Sequence, residues 1–173
     1  KSKLFSDLNL SLHKDTVLLT FHPETMETEI SDTIQINNIL SVLKEFKYQV
    51  LITAPTYDIG RDELISFILN YVKTNSNFHF IESLGFSRYY NFITHCKFII
   101  GNSSSGISEL PFFKIPTINI GDRQKGRVRH ESIIDSDFSR NSIRESILSC
   151  NQDKFIERCK NMKFKFGDGT SAT

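Results

Sequence analysis

The feature of the sequence that most constrains the fold is an alternation of short apolar runs with longer amphipathic segments. Five runs rich in β-branched and aromatic residues predict buried strands, at 16–21, 48–54, 78–82, 97–100 and 115–120. Segments with helical spacing of apolar residues alternate with them, at 29–46, 61–73, 87–95, 106–113 and 139–149. Strands that alternate with helices require right-handed crossovers, so the pattern predicts a doubly wound, mainly parallel, Rossmann-like α/β sheet.

Length and charge narrow the range of partners. The 173 residues suffice for one domain with its own core and are few for two. The net charge is +1, from 21 basic and 20 acidic residues, so we expect neither a nucleic-acid nor a membrane-surface partner, and any bound anion must be held by a local site. No apolar stretch approaches the roughly 20 residues of a membrane helix, and the first residues lack the apolar block of a signal peptide. We therefore expect a cytoplasmic protein.

Cysteine and histidine usage argues against a metal centre. The three cysteines, at 96, 150 and 159, are odd in number and widely spaced, which is typical of reduced thiols. We interpret Cys96 as a small buried apolar residue rather than a reactive thiol. The five histidines show neither the HExxH spacing nor a CxxC partner. We predict no metal site and no cofactor.

Function is expected where the strands end, because the strand-to-helix loops of such a sheet converge at one edge and hold the ligand there. The loops after the five predicted strands read "FHPET", "APTYDIGRDE", "ESLGFSRYY", "GNSSSGISE" and "GDRQKGR". Four of the five carry groups suited to a sugar nucleotide.

The serine-rich loop after the fourth strand matches neither of two familiar motifs. A nucleophile elbow requires GxSxG, but the residue two positions after Ser103 is Ser105. A Walker loop requires a lysine after its last glycine, but Gly106 is followed by Ile107. The loop is therefore predicted to hold no nucleophilic serine and no Walker-type phosphate site.

Two compatible interpretations of this loop stay open. Free backbone N–H groups, serine hydroxyls and the positive end of a helix dipole would favour a bound anion. Glu109, one turn into the predicted helix, could then accept hydrogen bonds from a ribose diol. Alternatively, Ser104 or Ser105 only caps the helix and Glu109 completes the local electrostatics.

The loop after the fifth strand holds the densest group of cations, which are Arg123, Lys125, Arg127 and Arg129. Arginine can grip a phosphate with two parallel hydrogen bonds, and Arg123, nearest to the strand end, is the candidate. The alternative is a solvated basic turn. His22, at the end of the first strand, could contact a phosphate, transfer a proton, or be satisfied by backbone groups.

Three stretches, "LLTFHPET", "GNSSSGISELP" and "PTINIGDRQKGR", resemble the C-terminal domain of UDP-N-acetylglucosamine 2-epimerases. The resemblance covers nearly the whole chain and is strongest for the hydrolysing branch, which makes N-acetylmannosamine for sialic acid synthesis, with relatives that act on related bacterial UDP-sugars. It implies two facing Rossmann-like domains of the glycosyltransferase-B-like kind. Residues 16–166 would form the UDP-binding domain, 1–15 would lead in from an N-terminal domain, and 167–173 would start a C-terminal crossover segment.

The resemblance also implies roles for particular residues. Ser103 and Ser104 would hold the diphosphate beside Gly106, and Glu109 the ribose hydroxyls. Arg123 and His22 would contact the phosphates, and both are candidate catalytic residues because they would stabilise the leaving UDP.

The uracil would meet the loop around Ser83 and Leu84, with Phe86 or Tyr89 as an apolar wall. Thr56 stands where the family commonly has asparagine. The acids and bases that act on the sugar belong to the family's N-terminal domain, so we expect this chain alone to be inactive. The full-length protein is expected to be a homo-oligomer. A glycosyltransferase of the same architecture and a non-catalytic nucleotide-sugar sensor are the alternatives.

Overall fold

A computed structural model describes residues 1–24 and 30–167. Each strand pairs parallel to its neighbours in one sheet of order β3-β2-β1-β4-β5-β6. The strands are β1 Thr16–Thr20, β2 Gln49–Thr53, β3 Phe78–Ile81, β4 Phe98–Gly101, β5 Thr117–Ile120 and β6 Ile133–Ser136. The predicted parallel, doubly wound sheet is confirmed.

The helices flank this sheet, and their bounds are α1 Ser2–Asp7, α2 Asp32–Glu45, α3 Arg61–Thr74, α4 Phe86–Ile93, α5 Ser105–Ser108, α6 Arg140–Cys150 and α7 Asp153–Asn161. The side chain of Ser31 accepts a hydrogen bond from the Ile34 N–H and so caps the start of α2. Ser139 does the same for α6. Within the described ranges, no helix has both the length and the apolar character needed to cross a bilayer.

Alternation of side chains along the strands builds an apolar cluster on each face of the sheet. On one face Val17, Leu19 and their neighbours pack against α2, α3, α6 and α7. On the other face Leu18 and Ile99 pack with Phe5 of α1 and with residues of α4. Both faces are therefore covered, and the carboxyl edge of the sheet is left for a ligand.

The predicted helix over 106–113 is wrong in one respect that affects the site. The α-helical turn of α5 ends at Ser108, and a separate 3₁₀ turn covers Leu110–Phe113. Pro111 has no N–H to donate to the carbonyl of Ile107, so the α-helix cannot continue through it. Glu109 consequently lies at the junction of two short turns rather than inside one helix.

Three elements were not predicted. Strand β6 has only two apolar residues, Ile133 and Ile134, and three of its four residues are half-buried or exposed. Helix α7 carries strong charge, and α1 lies in the segment 1–15 that was expected to lead in from another domain. Phe5 of α1 is nonetheless 1% exposed, so that segment packs on the sheet.

Candidate functional site

The strand order reverses between β1 and β4, and the loops that leave these two neighbouring strands open a crevice at the carboxyl edge. Gly101 ends β4 directly beside Thr20 of β1. Its φ of 140° is a backbone conformation that side-chain-bearing residues rarely adopt, and an added Cβ would lie only 1.9 Å from the Thr20 carbonyl oxygen. Only glycine therefore fits at this position. The two central strands therefore meet closely where the crevice begins.

Asn102 joins the loops that surround this crevice and is 0% exposed. Its Oδ1 accepts from the His22 N–H at 2.8 Å, and its Nδ2 donates to the His22 carbonyl at 2.8 Å. Its own carbonyl accepts from Gln124 Nε2 at 2.9 Å and from Arg123 Nη1 at 3.4 Å. One residue thus connects the loops after β1, β4 and β5. Asn102 was not among the predicted site residues, although its position directly after β4 was an available signal.

His22 is buried, at 6% exposed, and its ring is held in one tautomer. The backbone N–H of Thr56 donates to Nδ1 at 3.0 Å. The Thr56 hydroxyl lies 3.3 Å from Nδ1 and donates to Asp58 Oδ2 at 2.6 Å. Because a backbone N–H can only donate, Nδ1 carries no proton and the neutral ring carries its proton on Nε2.

Burial lowers the pKa of His22 from 6.5 to about 4, and the charge of Arg123 adds to this effect, while Asp58 opposes it. His22 is therefore neutral near pH 7 and offers an N–H donor at Nε2. Within the described ranges, no acceptor is hydrogen-bonded to Nε2. This geometry favours donation to an anion over proton transfer.

Arg123 lies at the same carboxyl edge of the sheet, the rim of the crevice. Its side chain is 31% exposed. Its Nη2 is 4.0 Å from Asp58 Oδ2, and its Nη1 reaches the Asn102 carbonyl. The guanidinium is thus anchored on one side and open on the other, so it remains able to bind an anion.

The other cations of this loop have different roles. Arg129 forms two hydrogen bonds with the Asp135 carboxylate, at 3.0 and 3.1 Å, and also donates to the carbonyls of Gln124 and Arg127. It therefore holds the loop against β6. Lys125 pairs with Asp122 at the surface. The predicted group of four cations contributes Arg123 to the loops joined by Asn102.

The serine-rich loop presents free donors beside Arg123. In the described part of the chain, the backbone N–H groups of Ser103, Ser104 and Ser105 donate to no acceptor. The Ser103 and Ser105 hydroxyl oxygens are 3.1 Å apart. Ser104 precedes α5 without a side-chain cap bond, so the structure does not support the helix-cap interpretation. Because α5 has a single turn, the donors are individual N–H and O–H groups rather than a long helix dipole. Gly106 is buried, and a Cβ added to it would lie 3.1 Å from the Thr117 side chain of β5.

The remaining candidates lie around α4 and the second half of the serine loop. Glu109 is exposed and accepts from the Tyr90 hydroxyl at 2.5 Å. The Ser83 hydroxyl accepts from the Gly85 N–H at 3.0 Å, which shapes the turn before α4.

Leu84 is 3% exposed, and its carbonyl accepts from Arg88 Nε at 3.0 Å. Phe86 is 80% exposed. The Tyr89 hydroxyl lies 3.0 Å from Ser105 Oγ, so α4 is fastened to the serine loop. His22 and Arg123 thus contact Asn102, and Thr56 contacts His22. Glu109 is connected to α4 through Tyr90.

The fold and this rim define the class of protein. The chain is a Rossmann-like domain of the glycosyltransferase-B-like kind, and at its switch point the Arg123 guanidinium lies beside serine N–H groups that have no acceptor among the described residues. It belongs to the UDP-N-acetylglucosamine 2-epimerase family, whose model matches residues 2–173.

Curated relatives agree with this family. A GDP/UDP-N,N'-diacetylbacillosamine 2-epimerase (hydrolyzing) of Campylobacter jejuni is 41% identical over 141 residues, which cover 80% of this chain and 36% of that protein. The polysialic acid biosynthesis protein P7 of Escherichia coli is 38% identical over 148 residues, or 84% of this chain and 37% of that protein. The chain therefore spans about a third of the length of these relatives.

A solved structure shows the same fold. The UDP-GlcNAc 2-epimerase of Methanocaldococcus jannaschii, in complex with UDP-GlcNAc and UDP, superposes with a TM-score of 0.72 at 18% identity. The match covers 98% of this chain and 46% of that one.

Proposed function

We propose that this rim binds the UDP part of a UDP-sugar and that the full-length protein is a hydrolysing UDP-N-acetylglucosamine 2-epimerase. The reaction eliminates UDP from the sugar and adds water, so that UDP and N-acetylmannosamine are released. The observation that carries the proposal is the placement of His22 and Arg123 on either side of Asn102, with the unpaired N–H groups of residues 103–105 directly after it.

The proposed role of this domain is to stabilise the leaving group. As the bond between sugar and UDP breaks, negative charge develops on the diphosphate, and fixed donors that meet this charge lower the barrier. Arg123 supplies a cation, His22 an N–H from Nε2, and Ser103 and Ser104 backbone and hydroxyl donors. Thr56 acts through His22, since its N–H sets the tautomer.

The nucleoside is proposed to lie on the side of α4. The Glu109 carboxylate accepts hydrogen bonds from the ribose diol, and the turn around Ser83 and Leu84 meets the uracil. The Leu84 carbonyl accepts from Arg88, which holds this turn against α4.

The domain limits and the setting are further parts of the proposal. Residues 16–166 form the UDP-binding domain, 1–15 lead in from an N-terminal domain that holds the acids and bases, and 167–173 start a crossover segment. Of that last segment, 168–173 lie outside the described residues. The full-length protein is proposed to be a cytoplasmic homo-oligomer; its three free cysteines suit a reducing compartment.

The test is to incubate the full-length protein with UDP-N-acetylglucosamine and, separately, with UDP-N,N'-diacetylbacillosamine, the sugar in one relative's name. Release of UDP together with a free 2-epimer supports the proposal and identifies the sugar. Release of UDP only when an acceptor is added would indicate a glycosyltransferase, and binding without release a non-catalytic sensor.

The role of Arg123 is tested in the same assay. We expect Arg123→Ala to lower turnover by about 10²-fold, as loss of one oxyanion donor does. Lys125→Ala is the matched control, because this cation of the same loop pairs with Asp122 at the surface and should not change turnover. If Arg123→Ala keeps turnover within about a factor of two of wild type, Arg123 is only part of a solvated turn.

A further inference from the structure

Two consecutive tyrosines of α4 direct their hydroxyl groups at the serine loop. The Tyr89 hydroxyl is 3.0 Å from Ser105 Oγ, and the Tyr90 hydroxyl donates to Glu109 Oε2 at 2.5 Å. Tyr89 therefore touches a neighbour of the proposed diphosphate contacts, and Tyr90 touches the proposed ribose contact itself.

The Tyr89 contact begins a chain of hydroxyl groups, because Ser105 Oγ is also 3.1 Å from Ser103 Oγ. A phenol is more acidic than an aliphatic hydroxyl and so is the better donor of the pair. Burial raises the pKa of Tyr89 to about 12, which keeps its proton in place. When Tyr89 donates to Ser105 and Ser105 donates to Ser103, the Ser103 proton is left to point toward the crevice. Each donated bond also strengthens the next one in the chain.

The Tyr90 contact fixes a side chain that would otherwise be mobile. Glu109 is exposed, and ordering a glutamate side chain on ligand binding costs conformational entropy. The hydrogen bond from Tyr90 orders the Glu109 side chain in the absence of ligand, so this entropy is not lost on binding. A carboxylate with one hydrogen-bond partner still has lone pairs that can accept from a diol. The Tyr90 ring is itself held, stacked on Phe113 at 5.2 Å and edge-on to Phe86 at 4.7 Å.

We propose that Tyr89 and Tyr90 are positioning residues that preset the two halves of the nucleotide site. Tyr89 orients the serine hydroxyl that donates to the diphosphate, and Tyr90 holds the Glu109 carboxylate in place for the ribose diol. This inference rests on the proposed function and deepens it. It predicts that the site selects a ribonucleotide over its deoxy analogue through Tyr90, and that Tyr89 has no part in this selection.

The experiment measures the dissociation constants of UDP and of 2′,3′-dideoxy-UDP by calorimetry, with full-length wild-type protein and two variants. Tyr90→Phe keeps the stacked ring but leaves the Glu109 side chain to be ordered on binding, so it should weaken UDP binding by about tenfold. The dideoxy ligand has no ribose diol for Glu109, so its binding should be unchanged. Tyr89→Phe should weaken both ligands equally, by about fivefold, because both carry the diphosphate. Tyr71→Phe is the matched control, because it removes a hydroxyl that contacts the Leu40 carbonyl far from the rim. It should change neither dissociation constant.

Binding results that differ from these expectations contradict the role proposed for one or both tyrosines. If Tyr90→Phe weakens both ligands equally, Tyr90 only supports the fold and does not position Glu109. If Tyr89→Phe leaves both unchanged, the hydroxyl chain has no role in binding. Ser105→Ala breaks the same chain from its middle and should reproduce Tyr89→Phe, so the test stands even if one variant folds poorly. Wild-type protein that fails to bind UDP overturns the proposed function and this inference together, whereas UDP binding that neither variant changes overturns the inference alone.

Discussion

Acidification below the ordinary pKa of histidine is expected to destabilise this protein through His22. The ring is buried and its Nδ1 accepts from the Thr56 N–H, so protonation would break that bond and place a charge beside Arg123. In the unfolded chain the pKa is the ordinary 6.5, and in the folded protein it is about 4. Because the folded state binds the proton more weakly, this contribution to stability is complete above pH 6.5 and is lost as the pH falls toward 4.

The size of the effect follows from those two values. A gap of roughly 2.5 pH units corresponds to about 3 kcal/mol of unfolding free energy, most of it lost at pH 4. Urea unfolding at pH 7, 6, 5 and 4 measures it for wild type and for His22→Asn. The asparagine amide oxygen can accept from Thr56 as Nδ1 does, but it does not titrate in this range.

The two unfolding free energies should therefore converge as the pH falls, with wild type losing about 3 kcal/mol more than His22→Asn between pH 7 and pH 4. His13→Asn is the control, since this exposed histidine precedes the amino end of β1 and its variant should follow wild type. A constant difference between wild type and His22→Asn would refute the reasoning. It would also reopen the possibility that His22 transfers a proton during the reaction.

Two stability predictions concern the contact between β1 and β4, and urea unfolding measures both. Asn102→Ala leaves a buried N–H and a buried carbonyl of His22 unpaired, and since each costs about 1–3 kcal/mol, we expect a loss of about 3 kcal/mol. Exposed Asn91→Ala should stay within about 0.5 kcal/mol of wild type, and a loss under about 1 kcal/mol for Asn102→Ala would contradict the role given to that side chain. Gly101→Ala forces a Cβ into the β1 backbone and should cost about 4 kcal/mol or more. Gly126→Ala is the control, because the φ of 82° is strained there but an added Cβ would have no atom within 4 Å, and it should cost only about 1–2 kcal/mol. Equal losses of unfolding free energy at the two glycines would show that Gly101 does not approach the β1 backbone closely.

Hydrophobic periodicity sufficed to predict five of the six strands and the parallel sheet, because those five runs are rich in β-branched and aromatic residues. It could not show that β1 and β4 are neighbours, since strand order is a property of the whole chain rather than of any segment. The role of Asn102 depends on that order and was therefore missed, although the residues that it joins, His22 and Arg123, were selected by their chemistry.

The cations after β5 illustrate a second limit. Nearness to the strand end selected Arg123 among four basic residues, but nothing in the sequence shows that Arg129 has a carboxylate partner. The structure separates them because Asp135 of β6 lies opposite Asn119 of β5, within reach of Arg129. Strand β6 has only two apolar residues, followed by Asp135 and Ser136, and was not recognised as a strand, so this pairing was not predictable. The break in the helix after Ser108 was more accessible, since Pro111 is visible in the sequence.

The five residues of "GNSSS" divide into an inward and an outward group, and this division separates two kinds of mutational effect. Gly101 and Asn102 face the sheet and hold β1 to β4. Ser103 and the two serines after it carry N–H groups that have no acceptor in the described part of the chain. A change in the inward group should lower stability and, because it displaces the donors, ligand affinity as well. A change in the hydroxyl chain that begins at Tyr89 should lower affinity while leaving the unfolding free energy nearly unchanged. Measuring the unfolding free energy and the ligand affinity of the same variants therefore distinguishes a residue that shapes the crevice from one that orients donors toward the ligand.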